Sequence, residues 1–244
     1  MRAYDGLHAA LVPEVYYGAP LLGHLCRDLG GDCTFVVATD GGSGSCGLPG
    51  GCLPDLGTLR EQEMRDAAAI YGATLDLWRL SNGEFPGDTG TTRARWSADR
   101  GSEQALVDAL VGVLDTVDPD LVLATDPVHG GSCHAEHRVV GQLLLRALER
   151  TSATPETYFA QGYGMPPRFS DARLLAFDAS IGSDYTGADA WDFIRLNALT
   201  HPSQISMDGA EIFGGVSPRR RRVYFLRAED VTLDDPEYLV CPNG

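Results

Sequence analysis

Between Cys33 and Thr39 the chain runs Cys-Thr-Phe-Val-Val-Ala-Thr, a nearly unbroken apolar stretch of strand length that stops at Asp40-Gly-Gly-Ser. A strand with water on one face alternates polar and apolar residues. One without alternation has both faces covered, and the usual cover is helices on both sides of a parallel sheet. The rest of the chain supplies such helices. Leu21, Leu22, Leu25 and Leu29 recur on one helical face closed by Gly30-Gly31, and Met64, Ala67, Ala68 and Tyr71 form a second face ended by Gly72. Thr58, with Glu61 three positions on, reads as the capping box of that second helix. Leu106, Leu110, Val113, Leu114 and Val117 make a third face, and Val140, Leu143, Leu144, Ala147 and Leu148 a fourth. Strand-like runs fall at residues 7–12, 74–80, 120–125, 156–161, 174–179 and 223–226, and residues 188–199 read as a further helix. Residues 85–100 read as polar and irregular. The alternation predicts one Rossmann-like α/β domain over 1–244, mainly parallel, with helices on both faces of the sheet and ligands at the carboxyl ends of its strands.

Charge and residue usage exclude several functions. A net charge of −15 offers no broad phosphate-neutralising face, so nucleic acid is not an expected partner. The one basic run, Arg219 to Arg222, reads as a solvated loop or as partners for nearby carboxylates. All 19 basic residues are arginine, which rules out Schiff-base lysine chemistry and a P-loop lysine. No window approaches the ~20 apolar residues of a membrane span, and the N-terminus lacks a signal-peptide pattern. The expectation is a cytoplasmic protein without a membrane partner, its six cysteines present as thiols. Homo-oligomerisation is compatible with all of this.

The polar chemistry concentrates in Asp126-Pro-Val-His-Gly-Gly-Ser-Cys-His-Ala-Glu-His137, which follows a strand and opens a helix. His134 and His137 stand three apart in the first helical turn, so their rings are neighbours and both can address one substrate oxygen, one oxyanion or one metal. Two other strand ends, Asp40-Gly-Gly-Ser and Ser81-Asn-Gly-Glu84, carry Gly-rich polar turns and are expected to meet the histidines in one cleft.

At these positions the chain resembles the LmbE-like zinc deacetylases, the family of N-acetylglucosaminyl-phosphatidylinositol de-N-acetylase and the mycothiol and bacillithiol deacetylases. The resemblance lies in Thr39-Asp40-Gly41-Gly42, in the block from Leu59-Arg60 through Glu63 to Tyr71-Gly72, and in Ser81-Asn82-Gly83-Glu84. It continues through Pro119-Asp120, Asp126-Pro127, Gly130 to Arg138, and Ala198-Leu-Thr-His201-Pro-Ser203-Gln204. It implies hydrolysis of a C–N bond in a small polar, N-acylated or sugar-like compound, in specialised metabolism. Carried over, His137 is a metal ligand, His134 the residue that assists the tetrahedral intermediate, and Glu136 stands for the aspartate that orients it. Glu14, Asp40, Arg60, Asn82, Glu84 and Asp126 are then the substrate-binding candidates.

The cofactor that the resemblance implies is zinc, but its ligand set is incomplete. The family's first-strand motif is His-Pro-Asp-Asp-Glu, and Ala10-Leu-Val-Pro13-Glu14 stands in its place. Both N-terminal ligands and the aspartate base are missing, whereas catalytic zinc typically takes three protein ligands. Three readings stay open. The first is an enzyme working through His134 and His137 with nearby carboxylates. The second is a relocated metal site built from these histidines with Cys133, Cys46 or Cys52. The third is a non-catalytic relative that binds a ligand or a partner in the old cleft.

Overall fold

A computed structural model describes residues 8–11, 15–83, 87–130, 133–163, 173–205 and 221–233. Among these a seven-stranded sheet runs in the order β3-β2-β1-β4-β5-β7-β6. Its strands are β1 (His8–Leu11), β2 (Asp32–Thr39), β3 (Thr74–Leu80), β4 (Leu121–Thr125), β5 (Glu156–Tyr163), β6 (Leu174–Asp178) and β7 (Arg222–Arg227). The first five are parallel. β7 pairs antiparallel with both β5 and β6, so the expected mainly parallel sheet carries an antiparallel extension on one side. The chain order reverses between β1 and β4, and the crevice at such a reversal is where open α/β sheets bind ligands.

Helices cover both faces: α1 (Val15–Gly23), α2 (Leu56–Tyr71), α3 (Thr89–Arg100), α4 (Glu103–Val117), α5 (Ala135–Leu148) and α6 (Asp192–Leu199). The apolar strands feed two cores. Phe35 and Leu123 pack with Leu22, Tyr71 and Phe193 on one face, while Val122 and Ala124 pack with Leu110, Val140 and Phe159 on the other. This division explains why β2 and β4 lack polar alternation.

Several local expectations are corrected. Residues 85–100 are not wholly irregular, because α3 occupies 89–100. Its N-terminus is closed by Asp88, which accepts a 2.8 Å bond from the Thr91 N–H. Its inner face is little more than Trp96 and Thr92, too few apolar residues for a periodic signal. α2 is capped by Asp55 and not by Thr58, whose own N–H and hydroxyl both donate to the Asp55 carboxylate at 2.9 Å. The helix after β1 turns into a π-helical stretch at His24–Asp28, and α6 starts at Asp192.

The cysteines differ most from expectation. Cys26–Cys33 and Cys46–Cys52 are disulfides, and Cys133 is disulfide-bonded as well. Free thiols were expected from a reducing compartment, whereas the pairs sit close enough in the fold to bridge, with Cα atoms 5.9 and 6.0 Å apart. Of the basic run, Arg221 pairs with Asp189 as a local carboxylate partner, Arg222 is exposed, and Arg219 and Arg220 lie outside the described residues. No helix among the described residues is long and apolar enough to cross a membrane.

Candidate functional site

The carboxyl ends of β2, β3 and β4 open onto a cleft of about 160 Å³. Asp40, Arg60, Glu61, Asn82, His134, Glu136 and His137 line it, together with Asn197, His201 and Gln204 at and beyond the end of α6. The expected convergence of the strand-end turns is therefore present.

α5 is brought up to this edge by close backbone packing. A Cβ on Gly141 would lie 2.5 Å from the Thr125 carbonyl oxygen and 2.8 Å from the Pro127 nitrogen, so only glycine lets the helix approach the end of β4. Thr125 donates its hydroxyl to the His137 carbonyl at 2.8 Å, a second tie between strand and helix. Gly130, at φ +60°, makes the turn before the helix, where a Cβ would stand 2.9 Å from the Cβ of His137.

His134 is the N-cap of α5 and His137 its third residue. Their rings stack, with centroids 4.5 Å apart and planes 18° apart. His134 Nδ1 accepts from the Glu136 N–H at 3.3 Å, which places the proton of the neutral ring on Nε2. His137 Nδ1 lies 2.9 Å from the Gly130 carbonyl oxygen and donates to it, which leaves Nε2 as the basic nitrogen. In their neutral forms the two rings carry opposite tautomers, with the proton on Nε2 in His134 and on Nδ1 in His137.

Glu136 takes a different part from the one the resemblance implies. Its carboxylate accepts from Asn82 Nδ2 at 2.8 Å, the Gly83 N–H at 2.6 Å and Arg95 at 2.9 Å, rather than from the His134 ring. It fastens the turn after β3 to the start of α5. Asn82 completes this tie, since its side-chain oxygen accepts from the Ser43 N–H at 2.9 Å and joins the loop after β2. Arg60 holds the same loop by donating to the carbonyls of Gly41 at 2.6 Å and Ser45 at 2.9 Å. Asp40 accepts from the Gly42 N–H at 2.8 Å. These four residues line the cleft, but their polar atoms mainly fix its walls.

Asp126 is not among the lining residues. It is buried, with one carboxylate oxygen accepting from the N–H groups of Val128 and His129 at 2.8 and 2.6 Å and the other from Gln161 Nε2 at 2.6 Å. It shapes the turn below the histidines. His129, on that turn, has its pKa lowered, chiefly by burial and further by the Arg138 charge, with Asp126 acting the other way. Glu61, at the cleft wall, has its carboxyl held below the usual range by its hydrogen bond from Arg79 at 3.0 Å. Glu14 and Glu84 lie outside the described residues.

Residue-by-residue expectation passed over two residues of the cleft, His201 and Asn197, and the buried Glu63. His201 is buried and lines the cleft; its Nδ1 donates to the Asn197 carbonyl at 2.8 Å, so it too presents Nε2 as the basic nitrogen. Glu63 is buried and accepts from the N–H and hydroxyl of Ser203 at 2.8 and 2.7 Å, strapping the segment after α6 to α2. Both belong to blocks that carry the family resemblance, which was the available signal. Asn197 had none. It is fully buried, lines the cleft, and neither atom of its carboxamide has a hydrogen-bond partner. Leaving such a group unsatisfied costs about 1–3 kcal/mol.

The donor set does not fit the family's zinc. Ala10 sits on β1 in the middle of the sheet, paired with Thr34 and Val122, and a methyl group ligates nothing. Pro13 lies outside the described residues and its side chain has no donor atom. Among the described residues no group of three His, Cys, Asp or Glu is arranged to hold a metal ion. The relocated site is overturned too, since Cys46, Cys52 and Cys133 are disulfide sulfurs and not thiolates.

Known proteins share this architecture. The chain superposes on GalB, the 4-carboxy-2-hydroxymuconate hydratase from Pseudomonas putida KT2440, with a TM-score of 0.62 at 13% identity, covering 91% of this chain and 95% of that one. The N,N'-diacetylchitobiose deacetylase from Pyrococcus horikoshii gives 0.58 at 17% identity over 92% and 85% of the two chains. The A40926 pseudoaglycone deacetylase gives 0.60 at 15% over 91% and 95%. At these identities the likeness is one of fold. No curated protein sequence matches the chain. The family described as GlcNAc-PI de-N-acetylase, PIG-L, matches residues 14–148, more than half of the sequence, and the chain therefore belongs to the PIG-L family.

Proposed function

We propose that this chain is a divergent LmbE-like amidohydrolase that cleaves a C–N bond in a small polar, N-acylated or sugar-like metabolite without the family's usual zinc site. The observation that supports it is the stacked His134–His137 pair in a polar cleft at the strand ends, its two Nδ1 atoms facing a backbone N–H and a backbone carbonyl, which assigns opposite tautomers to the neutral rings. A base and a hydrogen-bond donor side by side are what addition of water to an amide carbonyl needs. Water attacks the acyl carbon while His137 Nε2 takes its proton, and His134 Nε2–H donates to the oxygen that gains negative charge. The C–N bond then breaks as His137 returns the proton to the departing nitrogen. The products are a carboxylic acid and an amine, and both histidines end as they began.

The named chemistry of the deacetylases sharing the fold, on N,N'-diacetylchitobiose and on the A40926 pseudoaglycone, is consistent with an N-acyl substrate. The second reading is a ligand-binding relative without turnover, favoured by Ala10 standing where the family has a ligand. Acetate release from N-acetyl-D-glucosamine and related N-acyl amino sugars, measured on chelator-dialysed protein, separates the two. Release that persists without metal and disappears in His137→Ala supports hydrolysis. Release that requires added zinc overturns the zinc-free mechanism, and saturable binding with no release supports the second reading.

A further inference from the structure

The fully buried carboxamide of Asn197 is the polar group of the cleft that nothing in the fold explains. Its neighbours on α6, Phe193, Ile194 and Ala198, are core residues with no exposure, so a leucine, which has the same branched skeleton of four heavy atoms, would suit the helix at position 197. The main-chain carbonyl of Asn197 is fully used, since it accepts from the Thr200 hydroxyl at 2.7 Å and from His201 Nδ1 at 2.8 Å. The side-chain oxygen and nitrogen are buried without any partner, although the residue lines the cleft. Such an amide is kept against the cost of burial when a ligand completes it.

A carboxamide presents one acceptor and one donor side by side. Its complement must offer a donor and an acceptor on adjacent atoms facing the same way. A secondary N-acyl amide is planar and trans, with its N–H and C=O on opposite edges, and satisfies only one of the two. Neighbouring hydroxyls on a ring satisfy both, because each hydroxyl donates or accepts as required. The cleft, at about 160 Å³, is well below the roughly 300 Å³ where pockets for drug-sized ligands begin, so it suits a single ring. Val37, Met64 and Leu77 on its wall offer apolar surface for the C–H face of that ring.

From this we infer that Asn197 is a specificity residue that binds a vicinal pair of hydroxyls on a sugar-like ring. The inference rests on the cleft being the substrate site, and it assigns the two ends of the substrate. The polyol ring goes to Asn197 and the acyl group to His134 and His137.

The test uses methyl β-D-glucopyranoside and its 3-deoxy analogue, which keeps hydroxyls but has no adjacent pair on the ring. Wild-type protein should bind the parent at least tenfold more tightly than the analogue. Asn197→Leu should erase that difference while the ligand-free protein melts at the wild-type temperature or above, because an unpartnered amide has been replaced by an apolar group of its own shape. A lowered melting temperature would assign the amide a structural role and overturn the inference. So would a retained preference in the variant, or no preference in the wild type. Independently of any variant, the side-chain amide resonances of Asn197 in the wild-type protein should shift on adding the glucoside and stay still with the analogue; the same shift with both rejects the diol. A glucoside preference without acetate release from N-acetyl-D-glucosamine defeats only the hydrolytic mechanism. Unchanged KM for that release in Asn197→Leu defeats only the role of Asn197.

Discussion

The imidazoles of His134 and His137 lie face to face with centroids 4.5 Å apart, and each is fixed by a backbone partner on its own Nδ1. The stacking follows from their i, i+3 placement at the start of α5, and the opposite tautomers follow from the different backbone groups that they meet. If they act as donor and base, His137→Ala and His134→Ala should each lower kcat by roughly 10²–10⁴-fold. Single-turnover rates on an N-acyl sugar would check this, and a loss confined to KM would remove the histidines from the chemistry.

Gly141→Ala should damage the site without touching a lining residue. The added methyl group would meet main-chain atoms of Thr125 and Pro127, which cannot rotate away, and α5 would have to lift from the end of β4. A destabilisation of about 1–3 kcal/mol by overpacking is expected, with activity falling further than stability alone accounts for. Denaturant unfolding and kcat/KM measured on the same preparation would reveal it.

Glu136→Gln should loosen the joint between α5 and the turn after β3. The neutral amide keeps Oε1 as the acceptor for Gly83 and Arg95 but loses the negative charge that faces the Arg95 guanidinium, and it brings an N–H₂ against the Asn82 donor. Arg95 is about a quarter exposed, so screening moderates the effect. A stability loss of about 1–3 kcal/mol is expected, read from the midpoint of chemical unfolding.

Acid should destabilise the turn that carries His129. Burial lowers the pKa of this histidine in the folded chain below the ordinary 6.5, whereas the unfolded chain takes up the proton near that value. Below about pH 6.5 the unfolded state therefore binds more protons, and the stability present at higher pH is lost until the folded group also titrates. Melting temperatures followed from pH 8 to pH 5 should fall less in His129→Gln than in the wild type.

Thiol titration of the denatured, unreduced protein should find no reactive groups from Cys26, Cys33, Cys46, Cys52 or Cys133. Each of the two short bridges closes a loop of sequence separation 7 or 6. Loops of that size contribute about 2–3 kcal/mol in the chain-entropy account. Reduction should lower the melting temperature. Disulfides of this kind persist in oxidising surroundings, so protein made in a reducing cytosol should be the less stable preparation.

Most of the strands and helices were legible in the sequence because burial on both sheet faces writes long apolar runs, and helices write a period of 3.6. α3 escaped because it buries little more than Trp96 and Thr92, and Thr58 was mistaken for a cap because Asp55, the true one, precedes it in a loop of glycine and proline. The neighbourhood of Asp40, Asn82, His134 and His137 followed from their places at strand ends.

What the order of residues determined by itself was therefore the α/β alternation, the edge of the sheet where chemistry gathers, and side chains without a metal-binding atom at Ala10 and Pro13. Only the tertiary structure decided what each polar side chain does there. Hydrogen bonding between residues far apart in sequence turned Glu136 and Asn82 into ties and bound Asp126 to Gln161, while packing brought the cysteine pairs within bonding distance and left the amide of Asn197 without a partner. Local patterns record which face of an element is buried. The partner that a buried polar atom finds depends on distances that exist only once the sheet and its helices have come together.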